Sequence, residues 1–310
     1  MLTSREISGD SLRAVNRREV VMTSQQDQIK LATDAVNAVS AIATLPEVTQ
    51  QIIQTVEDPR SSAQTLHKIV GNDPALVSRI LKVVNSSFYG LPGQVASVDR
   101  AIVMLGLNAV KNIAVAASLG QMFRGNKLSK GFAAKDLWSH CVAVAVTSRE
   151  IAKQLRLPIA DEAFLAGMIH DLGLLVSLQT WPEKLAAVCD AVSGSGRTFV
   201  EIEREMMGVD HQTIGAVLTE KWKFPRPCQQ AAGAHHNPAI LAQGTRTLTA
   251  IVHAADVVAC QQKQGLSLTC ESQVIDVESI EQAGVPMKIV EDVSARLPTL
   301  LSDAGALAAA

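Results

Sequence analysis

Aromatic residues make up only 3% of this 310-residue chain, and Tyr89 is its one tyrosine. So few planar side chains provide no stacking platform for single-stranded nucleic acid, and they suit helix packing better than an aromatic-rich β-sandwich. Paired cysteines are missing too. Cys141, Cys189, Cys228, Cys260 and Cys270 form no C-x-x-C motif, and their number is odd. That pattern points to reduced thiols in a cytoplasm and against a disulfide framework. Neither sign of charge is in excess. A formal net charge of −2 supplies no electrostatic drive toward nucleic acid or a membrane surface, and the local cluster Arg13, Arg17 and Arg18 reads as a solvated arm. No uninterrupted apolar run is long enough to span a bilayer, because residues 163–178 are broken by His170-Asp171. Residues 1–30 lack the continuous apolar stretch of a secretory leader. The expectation is a cytoplasmic protein with a flexible leader over residues 1–27, within which Met22 is an alternative start.

What the chain does have is aliphatic residues at helical spacing. It is 47% hydrophobic, enough for one large core or two modest ones. Asn72-Asp73-Pro74 supplies a loop, an N-cap and a proline at the first helical position. The helix expected over residues 74–86 aligns Leu76, Ile80, Leu81 and Val84 on one stripe, and the turn-rich segment 86–93 follows it. Ser97 caps a short helix ending at Gly106, and Asn108 caps the next. Thr198 with Glu201 fits a capping box. Asp210 caps a helix over 211–222 that Phe224-Pro225 stops, and Thr247 starts another carrying Ile251, Ala254, Ala255 and Val258. Residues 272–277 carry a strand signal too short and isolated to found a sheet. The expected fold class is all-α, with a helical half over 28–130 packed on a second half over 131–297. The polar stretch 124–135 joins them, and residues 298–310 form a frayed tail.

The histidines are unevenly placed. His67 stands alone in the first half, where it reads as a satisfied core residue. The others follow as His140, His170, His211, His235-His236 and His253, with Asp171 beside His170 and Asp256 three residues after His253. His140 heads an apolar helix over 142–155. An ionised Asp171 in the apolar run around it is costly to bury without a cation or donors, and Gly173 permits the bend that aims His170 and Asp171 at one pocket. His253 and Asp256 share a helical face, with His253 as core residue or as support for a ligand. Imidazole and carboxylate with no thiolate suit Fe, Mn, Zn or Ni, and less exclusively Mg. An aspartate between two cations can bridge them, as in two-metal phosphoester hydrolysis.

The series His140, His170-Asp171 and Asp256 resembles the H…HD…D pattern of HD-superfamily metal phosphohydrolases, and His211 with His235-His236 resembles the extra ligands of HD-GYP cyclic-dinucleotide phosphodiesterases. Leu45-Pro46, Asn72-Asp73-Pro74-Ala75-Leu76, Ile80-Leu81-Lys82-Val83-Val84-Asn85-Ser86, Ala101-Ile102 and Leu105-Gly106 are similar to the N-terminal signature of the HDOD family. So are the segment from Phe164 through His170-Asp171 to Gly173, the triplet Val209-Asp210-His211, and Trp222. The resemblance covers roughly residues 35–260. It implies a multi-helix HDOD architecture, a regulatory relative of HD hydrolases, and His140, His170, Asp171, His211, His235, His236 and Asp256 as the metal set. The chain departs from HD-GYP enzymes at Leu174, where those have a lysine, and after His235-His236, where Asn237-Pro238 replaces Gly-Tyr-Pro.

Two functions follow. The first is a signalling output protein with a retained metal pocket that acts on a protein partner. The second is a metal-dependent phosphohydrolase or phosphodiesterase with a nucleotide or phosphodiester ligand, in which Asp171 bridges metals or orients the nucleophile. A nucleic-acid binder is disfavoured by the missing basic stripe, and no membrane partner is expected.

Overall fold

A computed structural model describes residues 24–39, 46–56, 58, 60–123 and 132–308. Most of the expected leader with its arginine cluster, Leu45 of the family signature, and most of the polar connection lie outside the described residues. Among the described residues no β-strand occurs, and residues 272–277 enter helix only at Val277.

The first part of the chain contributes α1 (Gln25–Ala38), α2 (Glu47–Val56), α3 (Ala63–Gly71), α4 (Pro74–Val84), α5 (Val98–Leu105) and α6 (Leu107–Leu119). The second contributes α7 (Ala134–Gln154), α8 (Ala160–Ile169), α9 (Leu172–Thr180), α10 (Pro182–Val192), α11 (Phe199–Met207), α12 (His211–Lys221), α13 (Arg226–Ala234), α14 (Thr247–Gln261), α15 (Val277–Gln282), α16 (Met287–Asp303) and α17 (Gly305–Ala308).

Local chemistry sets many of these boundaries. Asp73 accepts a hydrogen bond from the Leu76 amide at 2.9 Å and Pro74 fills the first helical position, so an otherwise orphaned donor is satisfied where α4 starts. Ser97 does the same for Arg100 at 3.2 Å. The Thr198–Glu201 capping box is closed in both directions, and Asp210 accepts from the Thr213 amide at 2.8 Å. Asn108 does not cap α6. Gly106 stands there instead, with φ +90° and no side-chain cap, because the chain turns too sharply for a residue with a Cβ.

The core is continuous across the two halves. α7 and α8 form its centre, with α13, α14 and α16 packed around them. α6 is the seam. Its residues are buried from Ala109 to Leu119 because it meets α2 and α4 on one side and α8 on the other. Within it, the buried Lys111 ammonium donates to the Thr55 carbonyl and to Ser61 Oγ, which satisfies a charge that burial penalises.

The helix α1 packs on α12 and α9 of the second half, with Lys221 Nζ donating to Asn37 Oδ1 at 2.7 Å. Two local expectations need correction. The helix bearing His140 begins at Ala134 rather than 142, so His140 sits in its second turn. The expected frayed tail is helical through Ala308. Pro298 lies inside α16, and Leu300, Ala304 and Leu307 are buried. α17 touches both α4 and α7, so apolar burial outweighs the single proline break.

Candidate metal centre

Six elements aim side chains at one buried point. α7 carries His140. His170 and Asp171 form the junction where α8 stops and α9 starts. His211 opens α12, His235-His236 follow α13, and α14 carries Asp256. The break at residues 170–171 comes from their own backbone, with Asp171 at φ −102° and ψ 15°. Gly173 therefore is not the bend. Its missing Cβ lets α9 approach the His211 carbonyl of α12. His140, His170, Asp171, His211, His235 and Asp256 are fully buried, and the His236 side chain is 5% exposed.

All seven expected residues converge. His140 Nε2 lies 3.3 Å from His170 Nε2, and His211 Nε2 lies 3.4 Å from His235 Nε2 and 3.0 Å from His236 Nε2. Asp171 sits between these groups. Its Oδ1 is 3.4 Å from the Nε2 atoms of both His211 and His235, and its Oδ2 is 3.3 Å from that of His170 and 3.6 Å from that of His140. Asp256 Oδ1 is 3.1 Å from His140 Nε2.

The opposite ring nitrogens decide what this arrangement is. His170 Nδ1 donates to the Gly167 carbonyl at 2.7 Å, His235 Nδ1 to the Ala231 carbonyl at 3.1 Å, and His211 Nδ1 to Glu203 Oε2 at 2.6 Å. With the proton held at Nδ1, each neutral ring turns an Nε2 lone pair inward. Lone pairs facing one another at these distances, around a carboxylate whose two oxygens are buried without a hydrogen-bond partner, require a cation. This donor set fits a divalent metal: His211, His235 and His236 gather with Asp171 on one side of the cluster, and His140 and His170 gather with Asp171 on the other, where Asp256 also reaches in. Without a metal, protons take that part. Burial opposes charge on His140, but Cys260, Asp256 and Asp171 hold its pKa up to about 10. Burial likewise opposes charge on His211, and Glu203 carries it up to about 9. Burial pushes Asp171 upward, yet His170, His235 and His211 together outweigh it and leave the carboxyl well below its ordinary range.

The remaining histidines separate cleanly. His253 donates from Nδ1 to the His235 carbonyl at 2.7 Å and accepts at Nε2 from the Asp276 amide at 3.1 Å. It is therefore satisfied on both sides and supports the backbone that carries His235. His67 lies outside the cluster as expected, but it is no core residue: its side chain is half exposed and pairs with Asp99 at 3.2 Å.

Three residues near the centre escaped the sequence reading. Glu203 is buried and orients His211, and nothing in its spacing announces that. Cys260 stands one helical turn after Asp256, with Sγ 3.7 Å from Oδ1, a pairing the i, i+4 rule could have found. Cys270 Sγ lies 3.0 Å from Asp256 Oδ2, across a loop that no periodicity predicts. Two thiols therefore stand beside a centre whose expected ligands are imidazole and carboxylate, and burial pushes the Cys270 thiol well above its ordinary range.

A surface cavity of about 360 Å³ lies elsewhere. Ile159, Glu162, Arg226, Thr247 and Leu248 line it at the starts of α8, α13 and α14. α8 ends at the histidines, so the cavity stands roughly one helix length, ~15 Å, from the cluster.

The HDOD domain family model matches residues 42–238. An uncharacterized protein of Treponema pallidum (strain Nichols) is 25% identical over 215 residues, which are 69% of this chain and 41% of that relative. The match thus spans well under half the length of that curated relative. An HDOD domain protein of unknown function from Geobacter sulfurreducens superposes with a TM-score of 0.71 at 18% identity, over 89% of this chain and 99% of that one. A Marinobacter aquaeolei VT8 protein assigned by name to signal transduction gives 0.72 at 22% identity, over 93% and 68%. At such identities the structural likeness speaks for the fold alone. The family match over most of the chain, joined to an all-helical core built around the His170-Asp171 junction, makes this protein a member of the HDOD domain family.

Proposed function

We propose that this protein is a cytoplasmic signalling output component that holds a divalent cation in its core and acts on a protein partner through its helical surface, without turnover. The observation that carries this reading is the seal over the cluster. Six of its seven residues are fully buried, and His236 alone reaches the surface, at 5%. A phosphodiester has to touch the cation and the attacking water to react, and a sealed cluster denies it that contact. Leu174 supports the same conclusion. It is fully buried, and a leucine cannot neutralise the charge that builds on phosphate oxygens during attack. A cation held by His140, His170, Asp171, His211, His235, His236 and Asp256 then serves the fold, tying six helices of the second half together.

One observation favours the alternative, a metal-dependent phosphohydrolase. Asp171 has two buried oxygens with no hydrogen-bond partner, one facing His211 and His235 and the other His170 and His140. A carboxylate so placed can bridge two cations and orient a water between them.

Two measurements on the full chain decide between the readings. Metal-loaded protein offered a panel of phosphodiesters, cyclic dinucleotides included, is expected to show no substantial turnover. A His170→Ala, Asp171→Ala double variant, kept at a temperature where it remains folded, is expected to complement a deletion strain. Robust turnover of a natural phosphodiester, with loss of complementation by the folded variant, overturns the regulatory reading.

A further inference from the structure

We propose that Cys270 Sγ, His236 Nδ1 and Asp256 Oδ2 form a sulfur-containing cation subsite at the rim of the buried centre, selective for a thiophilic divalent ion such as Zn(II). The proposal deepens the reading of the cluster as a cation site and rests on it.

The geometry comes first. Cys270 Sγ lies 3.0 Å from Asp256 Oδ2 and 3.8 Å from His236 Nδ1, and those two partners are 3.6 Å apart. Tetrahedral zinc takes sulfur at ~2.3 Å and nitrogen or oxygen at ~2.0–2.1 Å, which separates its ligand atoms by about 3.3–3.6 Å. The S···N and N···O edges lie within about 0.3 Å of that spacing, and the S···O edge is about half an ångström shorter, so a bound ion has to part Cys270 from Asp256 by that much.

Each corner turns toward the other two. The Nδ1 atoms of His170, His211 and His235 are occupied by acceptors on the far side of the ring, whereas His236 Nδ1 faces Cys270. Its Nε2 points the other way, 3.0 Å from that of His211, so the His236 ring joins the subsite to the main cluster. Asp256 divides likewise: Oδ1 faces His140, and Oδ2 faces the sulfur. The loop that brings Cys270 in is fastened to the site, because Gln273 Nε2 donates to the His236 carbonyl at 2.9 Å. Cys260 is different. Its Sγ is 3.6 Å from Thr269 Oγ1, 3.8 Å from the Leu266 carbonyl and 3.7 Å from Asp256 Oδ1, the oxygen that faces His140 rather than the one that faces Cys270.

On binding, the Cys270 thiol releases its proton to solvent, and the His236 ring releases its remaining N–H proton when it binds a cation through each nitrogen; the dication offsets the thiolate and the Asp256 carboxylate. Sulfur ligation discriminates by softness, so Zn(II), Co(II) or Fe(II) is preferred there to Mg(II) or Mn(II). The competing description is a buried thiol that merely donates a hydrogen bond to Asp256.

The full chain, stripped with a chelator and titrated with Co(II), tests the proposal. A thiolate-to-cobalt charge-transfer band in the near ultraviolet is expected in the wild type and in Cys260→Ser, and is expected to vanish in Cys270→Ser. Zn(II) affinity should fall at least about tenfold in Cys270→Ser, with Mn(II) binding unchanged. The wild-type and Cys260→Ser spectra stand even where Cys270→Ser fails to fold. Bound Co(II) showing ligand-field bands without the charge-transfer band overturns the sulfur subsite and leaves the cluster reading intact. Absence of any bound Co(II) overturns both.

Discussion

Replacing Asp171 by Ala is expected to lower stability by about 3–5 kcal/mol, the usual consequence of removing one partner from a buried charge cluster, and to strip the protein of bound metal. The reason is geometric. Four imidazole nitrogens lie within 3.3–3.6 Å of its two oxygens, and all of these groups are fully buried. Without the carboxylate, a cation there loses the one ligand common to both sides of the cluster. The imidazoles then face one another as lone pairs or as like charges in a low-dielectric interior. Asp171→Asn keeps the shape and loses the charge, so it should lose metal with a smaller loss of stability. Denaturant unfolding followed by circular dichroism, with metal content measured on the same samples, reads both effects. An Asp171→Ala protein with unchanged midpoint and unchanged metal would show that the carboxylate does not organise the cluster.

Gly173→Ala is expected to destabilise by about 1–3 kcal/mol or more, as overpacking does, and to loosen the metal although Gly173 is no ligand. A Cβ at this position collides with the His211 carbonyl oxygen, and it stands 2.8 Å from that carbonyl carbon and 2.9 Å from the Gly215 nitrogen. These are backbone atoms of α12, which cannot rotate aside, so α9 and α12 must separate and His211 moves with α12. Gly215→Ala on the facing helix is the control. Its Cβ meets its nearest neighbour at 3.6 Å, an ordinary contact, and alanine favours helix over glycine by up to ~1 kcal/mol. Gly215→Ala should therefore be neutral or stabilising. Equal behaviour of the two variants in thermal melts would contradict the close-approach account.

Where the sequence was legible, short-range chemistry was the cause. Asp73, Ser97, Thr198 and Asp210 cap the helices their spacing announces, because a cap is settled within four residues. The seven cluster residues were legible as a set of types in a known order, not from periodicity. What spacing could not carry was long-range. α1 joins the second half through Asn37 and Lys221, 184 positions apart. Cys270 reaches Asp256 across a loop, and Glu203 reaches His211 from another helix. The tail was misjudged for a related reason: Pro298 signals a break locally, while Leu300, Ala304 and Leu307 find apolar cover only in the folded chain. His67 failed the other way, since an apolar-looking helix left one face in water and the histidine lies on it.

The central claim is that the buried histidine–aspartate cluster holds a divalent cation that supports the fold. Elemental analysis of the purified 310-residue chain, paired with melting curves before and after chelation, tests it most directly. The account predicts at least one equivalent of a transition metal per chain and a melting temperature that falls on chelation and recovers when the metal is returned. Metal-free protein that melts at the same temperature with or without chelator and added metal would contradict it.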